Sequence, residues 1–213
     1  MSSDTGKATL SLQGIFNSIA ASYELKGPRF FSHFGKRLVD HMHFPHGARV
    51  LDVATGRGAV LFPATECVGP EGKIVGVDFS SGMISETAAE VVQAGIGNVL
   101  MHQMNAEQLE FPDDSFDTVL CGLSLRFFPN PNRALKEFFR VLRPGGHVGL
   151  TTFAKDSPIQ QIYVPALRRH LPPPKDGEPA PPRFDSAEQL ILALEQAGFG
   201  GIMVKTEELR FRL

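Results

Sequence analysis

The sequence predicts an α/β fold, a doubly wound and mostly parallel sheet with helices ahead of its first strand. Three observations predict it. Short apolar, β-branched runs alternate with helix-like segments along the middle of the chain, the rhythm of β-α-β units with right-handed crossovers. The run 50–53 leads into Ala54-Thr55-Gly56-Arg57-Gly58, a glycine turn that lets a strand bend tightly into a helix. The next run, 74–77, is closed by an acid, Asp78, at the position where such folds accept hydrogen bonds from ribose hydroxyls.

Each element has its own signal. Apolar residues recur at helical spacing over 11–23 (Leu12, Ile15, Phe16, Ile19) and over 28–43 (Phe30, Phe34, Leu38), with Gly27-Pro28 breaking between them. Strands are predicted at 50–53, 74–77, 99–101, 118–120 and 148–152, separated by helices at 59–67, 81–94 and 131–142. The helix at Pro131 has Asn130 as N-cap, a proline in its first turn and a buried stripe of Leu135, Phe138, Phe139 and Leu142. Arg143-Pro144-Gly145-Gly146 then stops it and turns into the fifth strand. A further helix opens at Asp185-Ser186, with Glu188 and Gln189 placed for a capping box, and ends at Gly198. Residues 202–213 alternate as a final strand. Between these, residues 171–183 hold six prolines in thirteen positions, which excludes helix and central strand and predicts an extended connector. The PxxP at Pro179–Pro182 lies inside the domain, so a lid or substrate-side loop is favoured over an SH3-type ligand.

At 213 residues the chain has the size of one domain. The expected division is a disordered tail at 1–10 and a single domain over 11–213, with a helical cap at 11–45 and a substrate-side lid or connector at 154–184. Charge is near balance, 21 Lys+Arg against 23 Asp+Glu without a basic run, which argues against a nucleic-acid partner. Cys67 and Cys121 lie far apart and outside any C-x-x-C pattern, so neither a disulfide framework nor a metal site is expected. No apolar run reaches membrane-spanning length and the first residues are polar, unlike a signal sequence. A soluble, cytoplasmic protein without a membrane partner is expected, and a homodimer is compatible with the sequence.

In an open α/β sheet, ligands bind beyond the carboxyl ends of the strands. The turns there carry Asp52, Ala54, Thr55, Gly56 and Gly58; then Asp78 and Phe79, with Met83 following; then Asn105 and Ala106; then Cys121 and Gly122. A dinucleotide fingerprint would need a third glycine where this chain has Leu61. Asp52 beside the turn would also repel a pyrophosphate, whereas it attracts a ligand carrying an ammonium or sulfonium. S-adenosylmethionine carries both. On this reading Asp78 takes the ribose diol, Phe79 and Met83 pack on adenine, and Asn105 with the Ala106 N–H pairs with the adenine edge. The plainer readings are core packing for Phe79 and Met83 and turn initiation for Asn105.

The chain resembles the class I S-adenosylmethionine-dependent methyltransferases, and most the ubiquinone/menaquinone-biosynthesis C-methyltransferase type. The matching segments are 16–23, 50–58, 76–83, 105–117 and 133–146. The resemblance implies a Rossmann-like methyltransferase sheet, S-adenosylmethionine as cofactor, and cofactor contacts at Asp52, Gly56, the position of Arg57, Asp78, Asn105, Ala106 and near Gly122. It also implies a seventh strand, antiparallel beside the fifth, for which nothing remains after Leu213. A truncated form, or a sheet finished by one strand or by a partner chain, is therefore expected. Two positions depart from the family. Arg57 stands where members often have threonine or another small residue, and either reaches the cofactor carboxylate or points to solvent. Ser124-Leu125-Arg126-Phe127 stands where the quinone enzymes resemble G-L-R-N.

A methyl acceptor that is protonated needs a base. His41, His43, His46 and His147 fall at the edge opposite the crevice, which leaves His33 and Tyr23 as candidates; Tyr23 also belongs to the expected cofactor set. Seventeen phenylalanines against two tyrosines and no tryptophan fit an apolar acceptor pocket near Phe30, Phe31, Phe127 and Phe128. The function expected is methyl transfer to a small, apolar or aromatic acceptor. The alternatives are a non-catalytic S-adenosylmethionine-binding or scaffold protein and a nicotinamide-dependent oxidoreductase.

Overall fold

The computed structural model describes residues 11–23, 30–158, 161 and 184–209. The expected tail at 1–10, the Gly27-Pro28 break, and the connector at 171–183 with its PxxP lie outside them. Most of the expected lid at 154–184 does so too.

Five strands form one parallel sheet: β1 (Arg49–Val53), β2 (Lys73–Asp78), β3 (Val99–Gln103), β4 (Phe116–Gly122) and β5 (Leu142–Thr151), in the order β3-β2-β1-β4-β5. Order reverses beside β1, between β2 and β4, so the carboxyl ends of β1, β2 and β4 open onto one crevice. The helices are α1 (Leu12–Ile19), α2 (Phe30–His41), α3 (Leu61–Val68), α4 (Ser81–Gln93), α5 (Pro131–Val141) and α6 (Ala187–Ala197), with short 3₁₀ turns at Ala20–Ser22 and Leu125–Phe127.

Strand side chains alternate between two cores. Leu51, Val53, Val119 and Cys121 meet Leu135 and Phe138 of α5 and Leu190 and Leu194 of α6. Val50, Ile74 and Leu120 meet Leu38 of α2, with Leu61 and Ala64 of α3. A third, smaller cluster joins Phe16 and Ala20 of the N-terminal segment to Met83 of α4. The caps are those the residues foretold: Asn130 accepts from the Arg133 N–H, Ser186 accepts from the Gln189 N–H, and Gly198 closes α6 at φ 108°.

Three expectations need correction. Phe139, expected in the buried stripe of α5, is 47% exposed and meets Phe199 edge to face at 5.2 Å. Arg143-Pro144-Gly145-Gly146 does not precede the fifth strand. Leu142 already pairs with Phe116 and the next ladder partners are Thr118 and His147, so these four residues bulge out of the strand. The predicted final strand is absent over residues 202–209, which join no ladder; residues 210–213 lie outside the described set. The sequence alternates there, but burial does not: residues 203–208 are all exposed. The segment instead swings back to α2, where Arg37 Nε and Nη2 donate to Glu207 at 2.9 and 2.7 Å and His41 Nε2 lies 2.6 Å from it.

Candidate functional site

A cavity of about 650 Å³ opens at the carboxyl ends of β1, β2 and β4. Its floor is built by the strands. Asp52, near the end of β1, is 1% exposed; its Oδ2 accepts from the Thr55 hydroxyl at 2.6 Å, and its Oδ1 has no partner. Burial pushes its carboxyl up to about 7. Asp78, the last residue of β2, is 5% exposed and accepts from the Gly56 N–H and the Ser80 N–H, each at 2.9 Å. Burial raises this acid as well, against the lowering effect of those two donors.

The turn after β1 is held on both sides. Thr55 N–H donates to the Val77 carbonyl at 3.0 Å, and the Thr87 hydroxyl of α4 donates to the Gly56 carbonyl at 2.8 Å. Ala54 has φ 55°, and Leu123, just beyond β4, has φ 56°. Left-handed backbone at non-glycine residues is uncommon and collects at functional sites, and both residues line the cavity. Leu123 is fixed there by its N–H, which meets the carbonyl and the hydroxyl of Thr151 at 3.0 and 3.1 Å.

The other walls are apolar and amide. Phe16, Tyr23, Phe31, Phe79, Phe127 and Phe128 line one side, joined edge to face at Phe16–Phe79 (6.0 Å) and Phe16–Phe127 (5.8 Å) and tilted at Tyr23–Phe31 (5.2 Å). Asn105, Ala106 and Gln103 line the β3 side. The Asn105 side-chain oxygen accepts from the Glu107 N–H at 2.9 Å, a local turn that starts the β3–β4 loop.

Of the residues expected here, Tyr23, Asp52, Ala54, Thr55, Gly56, Arg57, Asp78, Phe79, Met83, Asn105, Ala106 and Gly122 line the cavity. Three do not. Gly58, at φ 78°, serves the turn itself, because a Cβ there would stand 2.6 Å from the Phe62 ring. Cys121 faces the α5–α6 core, and burial raises its thiol far above the ordinary range. His33 is exposed and packs edge-on against Phe34 at 5.3 Å, one helix face away from the lining residues Phe31 and Gly35.

Arg57 lines the cavity and does not point to solvent. Its side chain is 12% exposed; Nη1 donates to the Ala20 carbonyl, Nη2 pairs with Glu90, and Glu86 lies 3.8 Å away. The acidic pair on α4 at helical spacing was the sequence signal for this. Reasoning from sequence also missed Leu123, Ser124, Gln13 and Glu110 on the lining. No glycine or motif marked Leu123, whose unusual backbone is imposed by Thr151.

Comparison with known proteins gives a consistent picture. The model described as the ubiE/COQ5 methyltransferase family matches residues 4–168. The chain is 36% identical over 203 residues to aklanonic acid methyltransferase DauC of Streptomyces sp., covering 90% of this chain and 92% of that protein. It is 32% identical to the ubiquinone/menaquinone biosynthesis C-methyltransferase UbiE of Vibrio campbellii, covering 89% and 76%. In fold it is similar to a crystallised SAM-dependent methyltransferase from Aquifex aeolicus, with TM-score 0.66 and 23% identity over 85% of this chain and 87% of that one.

Proposed function

The chain belongs to the ubiE/COQ5 methyltransferase family, and from that premise we propose how its cavity divides between S-adenosylmethionine and a small apolar or aromatic acceptor. Membership makes it an S-adenosylmethionine-dependent methyltransferase; the proposal concerns the part each residue plays. It sets aside the scaffold and oxidoreductase alternatives.

The observation that carries it is the pair of buried carboxylates on the cavity floor. Asp52 Oδ1 is a buried acceptor without a partner, the kind of atom whose unmet hydrogen bond a ligand ammonium satisfies. Asp78 keeps accepting capacity beyond its two backbone donors, since a carboxylate has about four lone-pair sites, and ribose hydroxyls would fill it. Asn105 and the Ala106 N–H take the adenine edge, with Phe79 and Met83 against its face. When bound, the cofactor supplies a methyl group on a sulfonium, whose transfer leaves a neutral thioether. The protein's work is then alignment and exclusion of water, for which the aromatic wall is suited. Tyr23 is the base candidate that the cavity retains, because it lines the cavity and His33 does not.

Relatives are named for aklanonic acid and for ubiquinone/menaquinone biosynthesis, which supports a small organic acceptor here. The balanced charge supports the same reading over a nucleic-acid acceptor. The test is transfer of labelled methyl from the cofactor to a panel of quinols, phenols and small carboxylic acids. Label in an extractable product is expected with at least one class and is lost in Asp78→Asn. Binding of S-adenosylhomocysteine without transfer to any of them would overturn the acceptor assignment.

A further inference from the structure

We propose that Arg57 is a positioning residue that latches the N-terminal segment over the cofactor cavity, so that docking of this segment and cofactor binding are coupled. The inference rests on the reading of the cavity given above. Arg57 sits between the two glycines of the β1 turn, and its guanidinium leaves that turn in two directions. One nitrogen donates to the carbonyl of Ala20, at the end of the N-terminal segment, and another pairs with Glu90 on α4. A partly buried arginine with a planar fork suits such a three-way joint, because it is always charged and loses little freedom per bond formed.

The segment that it holds is a wall of the site. Leu12, Gln13, Phe16 and Tyr23 line the cavity, and side-chain hydrogen bonds join the segment to the loop after β2. Gln13 Nε2 donates to the Phe79 carbonyl at 2.6 Å, and the Asn17 side-chain oxygen accepts from the Ser80 hydroxyl at 2.6 Å and the Gly82 N–H at 3.1 Å. Every one of these anchors lies within four residues of Asp78. Approach is close enough that a Cβ on Gly82 would stand 3.1 Å from the Asn17 carbonyl oxygen and 3.2 Å from the Ala20 Cβ. The segment therefore rests on the two loops that carry Asp78 and Gly56, which donates to it. A ligand that fixes those loops stabilises the docked segment, and by linkage the docked segment tightens the ligand.

Hydrogen exchange with mass spectrometry on residues 11–23, with and without S-adenosylhomocysteine, tests the latch in the full chain. In the wild type, ligand is expected to slow exchange of this segment. In Arg57→Ala the ligand-induced slowing of the segment is lost, and the ligand binds about tenfold more weakly or worse, as for a lost charge-assisted bond. Arg57→Lys, able to meet one partner at a time, restores part of both. Gly82→Leu, a wedge beneath the segment that leaves Arg57 intact, should reproduce the loss. A merely structural arginine would lower melting temperature and speed exchange in β1 and β4 alike, without changing the increment in 11–23. That outcome overturns the proposal, as does a wedge that releases the segment at wild-type affinity. If the wild type fails to bind S-adenosylhomocysteine, the reading of the cavity falls instead, and the latch falls separately only if Arg57→Ala leaves exchange of 11–23 unchanged without ligand.

Discussion

Asp52 is held by the fold in an unfavourable state, and that makes it testable by pH. Its carboxyl sits at about 7 against an ordinary 3.8 because burial disfavours its charge, with the Asp78 carboxylate adding to the shift and the Thr55 hydroxyl and the Leu61 backbone opposing it. Between these two values the folded chain keeps a proton that the unfolded chain has lost. Its contribution to stability is complete below about pH 4 and is lost as pH rises through 7. Asp52→Asn should therefore stabilise the ligand-free protein at pH 8, by on the order of 2–4 kcal/mol, and by far less at pH 5. Urea unfolding at the two pH values checks it. A ligand ammonium favours the ionised acid, so S-adenosylhomocysteine should bind more tightly at pH 8 than at pH 6, and Asp52→Asn should flatten that dependence. At this scale the sequence was informative where a backbone position demanded a residue type, as at Gly56 and Asp78. It held the acidic pair that Arg57 meets, Glu86 and Glu90, but did not single that pair out, because which of several acids a long side chain meets depends on the packing of α1 against α4.

Among the elements, α5 does more than fill the core. Arg140 Nη1 donates to the Phe111 carbonyl and Nη2 to the Leu109 carbonyl, each at 2.8 Å, while Glu137 binds Arg140 and accepts from the Leu109 N–H at 2.8 Å. Together they fix the β3–β4 loop, which begins with Asn105 and Ala106. Arg140→Met keeps the aliphatic stem but leaves those carbonyls without their donor. It should lower the free energy of unfolding by about 1–3 kcal/mol and weaken S-adenosylhomocysteine binding a few-fold. An unchanged denaturation midpoint would mean that the Phe111–Phe116 contact at 5.1 Å holds the loop alone. Removing the α5 cap with Asn130→Ala should lower stability by about 1 kcal/mol without altering ligand affinity, since Asn130 does not line the cavity. Helices and buried strands were readable because periodicity and caps are local. The segment 202–209 was not, since alternation describes a strand only where a neighbouring ladder accepts it.

Over the whole molecule, the two cores grip the sheet from both faces and leave the carboxyl ends of its strands free for the cavity. Cys121 reports on that grip. It is buried in the sheet while Cys67 is exposed, so a thiol reagent should modify one cysteine per folded chain and reach the second only on unfolding, as mass spectrometry of labelled peptides would show. The crossover order made the crevice legible from sequence alone; the aromatic wall was only partly so, because phenylalanines that fill a core and those that face a cavity share one spacing. Cofactor binding depends most directly on Asp78, the acid that closes β2. Calorimetric titration of S-adenosylhomocysteine into the wild type and into Asp78→Asn should give a single site that weakens by about 1.5–3 kcal/mol in the variant, from the loss of charge-assisted hydrogen bonds. Equal affinity in the two proteins, or no binding to the wild type, would contradict it.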